Sequence, residues 1–468
     1  MVYYFLLPAA LLLLLYQKNF TMMMIQRKGL LLLFVGAVAG SLVCFSQEPV
    51  EWSLDSCLAY ALERNVDVRK SGLAIERNSL YLEQSKAARL PSLSASANQN
   101  FSWNYTYEGS SGTSSTGEAT GSTSFGLNSS VDLFRGLRLS KQIRQSEQNV
   151  MSSKYSSETI KESMELNVLN AFLSVLYAQE GVVNAENQIG VTQEQLDLAE
   201  ERLRLGIISQ SDYLQIKSEL ASEKQTLADA RNTLIMARIE LMQLMEYPFS
   251  EDFRISSPDL SGLLENIEIP NPTDIYQAAL GFKPQIKQAM ANTESAKLDE
   301  AIAKAELIPS LSLMASLGTN YTGLRSDLNF YEQLHDNFSP RVGLTLSVPI
   351  FQKKQAKTSV GVAQIGISEA ELNEIDTRNA LRKEIEQAVA NVYSAQQQYL
   401  ASQEDYSVTR ESVDVATAKL NQGLINSVDY LYERNNLILA ESQLLQSKYK
   451  LIFSEKVLDF YKGIPITL

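Results

Sequence analysis

Apolar and polar positions along this chain follow two periods that take turns, and the whole alternation is written twice. From Leu54 to about Leu90, apolar residues recur at helical spacing, in a stretch opening Leu54-Asp55-Ser56-Cys57. A counterpart runs from near Thr273 to Leu307. The two end alike, in Leu90-Pro91-Ser92-Leu93-Ser94 and Ile308-Pro309-Ser310-Leu311-Ser312. Proline cannot donate to a helix and pushes its predecessor toward extended backbone, so both helices stop there.

After each proline the period drops to two. Leu93, Ala95, Ala97, Phe101, Trp103, Tyr105 and Tyr107 alternate with serines and asparagines. A Gly/Ser/Thr-rich loop follows, and a return strand puts Phe125, Leu127, Val131 and Leu133 on one face. In the second copy Leu311, Leu313, Ala315, Leu317 and Tyr321 are answered by Val342, Leu344, Leu346, Val348 and Ile350. These patterns predict two β-hairpins, over 91–134 and 309–351, each with an apolar face and a small, polar one.

Past Phe134 and Phe351 the helical pattern returns and continues to Gly206 and Gly423. Roughly 70 residues at about 1.5 Å each reach on the order of 100 Å, longer than any globular core needs. Each run ends in the same turn: Leu205-Gly206-Ile207-Ile208-Ser209-Gln210-Ser211-Asp212-Tyr213 matches Gln422-Gly423-Leu424-Ile425-Asn426-Ser427-Val428-Asp429-Tyr430. Glycine suits a helix C-terminus where φ turns positive, and the Ser/Asn and Asp beyond it suit the start of the next helix. Leucine ladders of period seven follow: Leu220, Leu227, Leu234 and Leu241, then Leu437, Leu444, Leu451 and Leu458. With the Ala/Ser-rich positions between them, these supply coiled-coil seams. The expected division is therefore a first repeat over 47–247, an irregular proline-bearing connector over 248–272, and a second repeat over 273–468.

Charge and composition exclude several functions. A net charge of −13 argues against a nucleic-acid partner, which wants a basic face. Cys44, Cys57 and His335 exhaust the cysteines and histidines, so neither a zinc cluster, a His-based triad nor a disulfide framework can be built. Cys57 reads as a small buried hydrophobe inside its helix. The chain is expected to hold no cofactor, no metal and no catalytic constellation.

Two apolar runs open the chain, and the second follows Arg27-Lys28 and ends in Cys44-Phe45-Ser46-Gln47. That is the layout of a secretory signal, with cleavage expected after about Ser46 and the first run an upstream extension. A lipoprotein cut before Cys44 is the competing reading, though Val43 stands where a small residue is usual.

A soluble sheet with one wet face would show the same strand alternation. Three features favour a sheet in lipid. The strands, at about 10 to 15 residues, exceed the usual five or six. Aromatic residues gather toward the loop end, where Phe101, Trp103, Tyr105, Tyr107, Phe125 and Tyr321 would form an interfacial girdle. The polar face is small and uncharged, as a water-filled lumen requires. Four strands cannot close a lumen alone, and open edges are not tolerated in lipid, so oligomerisation is expected. A structural or adhesive coiled-coil protein would share the helices but has no need of two amphipathic hairpins.

The duplicated order of helix, hairpin, long helix, tip and return helix, the Leu/Ile-Pro-Ser-Leu start of each hairpin and the Gly-x-x-x-x-x-Asp tips resemble the TolC-like outer-membrane efflux proteins. The resemblance spans Leu54 to about Gly463. It implies an α+β membrane protein: a homotrimer whose twelve-stranded β-barrel in the outer membrane continues as a periplasmic α-helical tunnel. It further implies an exit duct for efflux or type I secretion, fed by an inner-membrane pump (RND, ABC or similar) through a periplasmic adaptor, with no catalytic site of its own. By the tip match, Asp212 and Asp429 stand where the family closes its periplasmic gate with acidic rings. A further family aspartate falls on Tyr432, with Gln215 as its first-half counterpart. The exposed turns Gly206-Ile207-Ile208 and Gly423-Leu424-Ile425 are the expected adaptor-docking tips, because apolar groups left at a helix end want a cover.

Overall fold

A computed structural model describes residues 51–104, 118–260, 262, 268–323 and 328–468. The two N-terminal apolar runs, Cys44 and the cleavage point near Ser46 lie outside the described residues, as do Tyr105 and Tyr107. The first half runs β1 (Glu51–Trp52), α1 (Leu54–Arg64), α2 (Val66–Ala87), β2 (Ser92–Asn104), β3 (Glu118–Arg135), α3 (Arg138–Arg204) and α4 (Gln210–Leu244). After β4 (Arg254–Ile255) come α5 (Pro272–Phe282), α6 (Pro284–Ala305), β5 (Ser310–Thr322), α7 (Phe330–Asp336), β6 (Ser339–Ser347), α8 (Gln355–Asn421) and α9 (Ser427–Lys462). Corresponding elements agree in length: 11 residues in α1 and α5, 22 in α2 and α6, 13 in β2 and β5, and 67 in α3 and α8.

The stretch from Leu54 to Leu90, read from its period as one helix, is two. Asn65 leaves the helical region (φ −55°, ψ 134°) and restarts it: its side-chain oxygen accepts from the backbone N–H of Asp67 at 2.8 Å. In the second half Pro284 imposes the same break on Lys283 (φ −60°, ψ 124°). Lys283 is buried there, its ammonium 3.2 Å from the Glu162 carboxylate and 3.2 Å from the centre of the Phe460 ring. Burial pushes its pKa down, while the Glu162 charge pulls it back up.

The four long strands form one sheet in the order β2-β3-β5-β6, antiparallel throughout. Helices repeat that order, because each strand leads into its own helix: α2 packs on α3, α3 on α6, and α6 on α8. Small polar side chains let them approach, as where Ser71 meets Ser157 at 2.7 Å and Ser152 meets Asn292 at 2.7 Å. The chain leaves the sheet through paired left-handed residues, Gly136-Leu137 and Lys353-Lys354. A Cβ at Gly136 would sit 3.1 Å from the Ala305 carbonyl oxygen, so that corner is built for glycine.

Three local readings need correcting. A bulge between Asp132 and Phe134 makes Leu133 an extra residue, and Phe134 takes its place opposite Leu311. β6 ends at Ser347, leaving Val348 and Ile350 outside the strand and exposed. The connector is also less irregular than its prolines imply, since β4 pairs in parallel with β1 and Phe253, Ile255 and Leu260 are buried.

Between β5 and β6 the seven-residue α7 rests on the sheet. Asn329 and Glu332 close a capping box at its start. The fully buried Gln333 then presents its side-chain amide to the backbone of Thr322, accepting from the N–H at 2.9 Å and donating to the C=O at 3.2 Å. It thereby continues the ladder where β6 has not yet begun.

The main core lies where the two halves meet midway along the helices, with Phe172, Leu169, Leu241, Met245 and Ile452 against α1. Cys57 is part of it, and burial pushes its thiol up to about 12. Smaller clusters hold the tips, around Leu196, Ile216 and Leu220 in the first half and Ala416, Tyr430 and Leu431 in the second. The leucine ladders turn inward: Leu220, Leu241, Leu451 and Leu458 are buried and the remaining four half-buried.

Candidate functional site

Paired residues of an antiparallel ladder share a face, so the register sorts the sheet. One face carries Leu93, Ala95, Ala97, Phe101 and Trp103, opposite Ser129, Leu127, Phe125, Gly121 and Ala119. It continues through Val131 opposite Leu313 and Leu127 opposite Leu317 to Leu344 and Pro340 on β6. The other face is Ser, Thr, Asn and Gly for most of its length, with Asp132, Arg135, Met314 and Arg341 among the exceptions. Phe101, Trp103, Phe125, Leu344 and Leu346 are exposed in the single chain. Of the expected girdle, Phe101, Trp103, Phe125 and Tyr321 share the apolar face, and Tyr321 packs against Phe330 of α7 with ring centres 5.2 Å apart.

At the far end of the long helices the two tips are built alike. Gly206 (φ 73°) and Gly423 (φ 74°) are left-handed, and the next N–H folds back, from Ile207 to Arg202 O and from Leu424 to Lys419 O, both at 2.9 Å. Each tip sorts its two apolar residues. Ile207 (66% exposed) and Leu424 (69%) stand out, whereas Ile208 and Ile425 lean on the clusters beneath.

Asp212 and Asp429 each occupy the third position of a helix. The Ser209 side chain caps the Asp212 N–H at 3.1 Å, and the Asp212 carboxylate accepts from the Ser209 backbone N–H at 3.2 Å, a closed capping box. Asn426 caps the Asp429 N–H at 2.8 Å, and the Asp429 side chain stays exposed. Asp212 therefore has a local duty, while Asp429 does not share its box. Tyr432 is exposed, as is Asp405 far up α8.

What the sequence pattern did not reveal is a polar joint tying the two helical hairpins just above the tips. Arg434 on α9 donates to the Gln188 carbonyl on α3 at 2.9 Å, to Gln195 at 3.2 Å, and to the Glu223 carboxylate on α4 at 2.9 Å. Both charged side chains are only 6% exposed. Tyr430 bonds Gln195 beside them, and Arg202 reaches Asn421 at 3.1 Å. Burial pushes the Glu223 carboxyl above its ordinary range, against the pull of Arg434. Among the described residues, no group of three His, Cys, Asp or Glu side chains is placed to hold a metal.

A sheet apolar on one face and small-polar on the other, carried on 67-residue helices that end in exposed apolar turns, defines one wall of a membrane duct. The family model described as "Outer membrane efflux protein" matches the chain twice, over residues 58–245 and 275–463. The chain is 23% identical over 410 residues to the cation efflux system protein CusC of Escherichia coli O157:H7, covering 86% of this chain and 83% of that one. It is 24% identical over 265 residues to the alkaline protease secretion protein AprF of Pseudomonas aeruginosa, 55% of this chain and 52% of that one. A crystal structure of CusC superimposes with a TM-score of 0.76 at 20% identity, over 89% of this chain and 93% of its own. The chain belongs to the outer membrane efflux protein family. It is an exit duct of tripartite efflux or type I secretion, seated in the outer membrane and reaching into the periplasm.

Proposed function

We propose that three copies close the duct. The observation that carries this reading is a four-stranded sheet with an apolar face and two bare edges, β2 and β6. Lipid does not tolerate unpaired strand edges, and an eight-stranded barrel from two copies would be filled by its own side chains. Three copies give twelve strands, with the Ser/Thr/Asn face turned to a wet lumen and the aromatic face to lipid. Phe101, Trp103, Phe125 and Tyr321 then serve as the outer girdle. Native mass spectrometry in detergent is expected to show a trimer, and single-channel recording a conducting pore. A monomer that still partitions into membranes would refute the reading.

The helices carry the lumen onward to the tips, where a periplasmic adaptor joins the duct to an inner-membrane pump. Asp212 and Asp429 then form carboxylate rings at the periplasmic mouth. Such rings favour cations and hold multivalent ones. Replacing both aspartates by Ala is expected to weaken block by multivalent cations and raise resting conductance, while Asp405→Ala changes neither. Unchanged selectivity and block in the double variant would leave both aspartates as helix-start residues only.

A further inference from the structure

The internal repeat specifies how one protomer meets the next. We infer that β6 of one protomer pairs antiparallel with β2 of the next in a single register, with Val342 opposite Phe101 and Thr345 opposite Asn98. This rests on the three-copy reading and adds to it the residues of the seam.

The derivation uses only pairings within one chain. Ser92 opposes Ser130 in the first hairpin and Ser310 opposes Ser347 in the second. Ser92 and Ser310 are thus equivalent, and so are Ser130 and Ser347. Between the hairpins, β3 pairs with β5: Ser130 stands opposite Met314, and Ser122 opposite Thr322. Carrying that contact one repeat onward replaces β3 by β6 and β5 by β2 of the next protomer. Ser347 then faces Ser96, and Ser339 faces residue 104.

Two features that played no part in the derivation agree with it. The register puts Leu346 opposite Ala97 and Val342 opposite Phe101, keeping apolar side chains together, and sets Thr345 and Gly343 against Asn98 and Asn100. A slip of one residue would turn one strand's apolar set into the lumen. The register also accounts for the chain below β6. Carried onward, it sets Val348 opposite Ala95 and transfers the Leu133 bulge onto Ile350, which is 94% exposed in the single chain. Those residues, which alternate like a strand yet lack one to pair with, find their partner in the second copy.

Paired cysteines in the full-length, detergent-purified protein test the register; Cys57 is buried and stays silent. Val342→Cys with Phe101→Cys represents the inferred pair. Val342→Cys with Gln99→Cys or with Trp103→Cys represents slips of two residues. Opposed Cβ atoms lie about 4.5–5.5 Å apart and diagonal ones about 7–8 Å, so the inferred pair is expected to give roughly fivefold more covalent trimer than either slip. Thr345→Cys with Asn98→Cys, on the lumen face where little bulk changes, must give the same answer. If a slipped pair cross-links best while native mass spectrometry still shows a trimer, the register is wrong and the three-copy reading stands. If the unmodified protein forms no trimer, both fall together.

Discussion

Replacing Ile207 and Leu424 by Glu together is expected to abolish export while leaving trimer yield and pore formation intact. Each residue follows a left-handed glycine at the end of a 67-residue helix and is about two-thirds exposed. Neither belongs to the cluster beneath its tip, so the charge costs the fold little. An adaptor that covers these turns would have to bury each carboxylate without a counter-charge, at several kcal/mol apiece. Truncating a buried interface anchor alone typically costs 2 kcal/mol or more, roughly thirtyfold in affinity. In the proposed trimer the losses multiply, and export measured by susceptibility to a pump substrate should fall to the level of a deletion. Ile208→Ala and Ile425→Ala give the contrast: they lean inward, so they should lower the melting point before they touch export. Full export by the double Glu variant would place docking elsewhere.

A loss of comparable size is expected from Arg434→Leu, in stability instead of transport. Arg434 offsets the buried Glu223 charge and fills three acceptors drawn from α3 and α4. Removing one partner of a buried pair strands the other, at about 3–5 kcal/mol. Glu223 Oε2 is buried with no hydrogen-bond partner, and the neutral Thr192 hydroxyl beside the carboxylate cannot replace the lost charge. The pH dependence has a fixed sign. Burial already raises the Glu223 pKa in the fold, and losing Arg434 raises it further. The deficit is full above that raised value and shrinks as pH falls through it, because the protonated acid carries no charge. Thermal melts of Arg434→Leu across pH check this. The Arg434→Leu, Glu223→Leu double variant should recover much of the loss. A single variant as stable as the parent at neutral pH would show that the joint contributes little.

The hairpins, long helices and tips were legible because each is announced by local chemistry: Pro91 and Pro309, the change of period, and a glycine followed by a capping residue. Elements that depend on partners distant in sequence were not. Arg434 and Glu223 are 211 residues apart, and nothing in either neighbourhood marks them as a pair. The Leu133 bulge is set by the cross-strand register to β5, which the alternation of β3 alone cannot report. Some signals were present and outweighed. Pro284 marks the helix break, and Asn329 with Glu332 marks the start of α7, yet both sit in stretches dominated by a longer pattern. The site divides the same way: the tip residues lie where their motif places them, but that Ile207 points out and Ile208 in follows from helix packing.

The equal length of α3 and α8 limits how such a chain can change over time. Both start at the sheet, and under the proposed docking both must deliver their tips to one level. Seven residues inserted in α3 alone would preserve its heptad phase yet push one tip about 10 Å past the other. The matching return helix would have to grow as well, and then both helices of the second half. Growth of the helices is therefore a four-place event within one gene, whereas a change in the number of residues between β2 and β3 moves neither tip. Descendants of an ancestral duplication of this kind should differ widely in their outer loops and hardly at all in the reach of their helices.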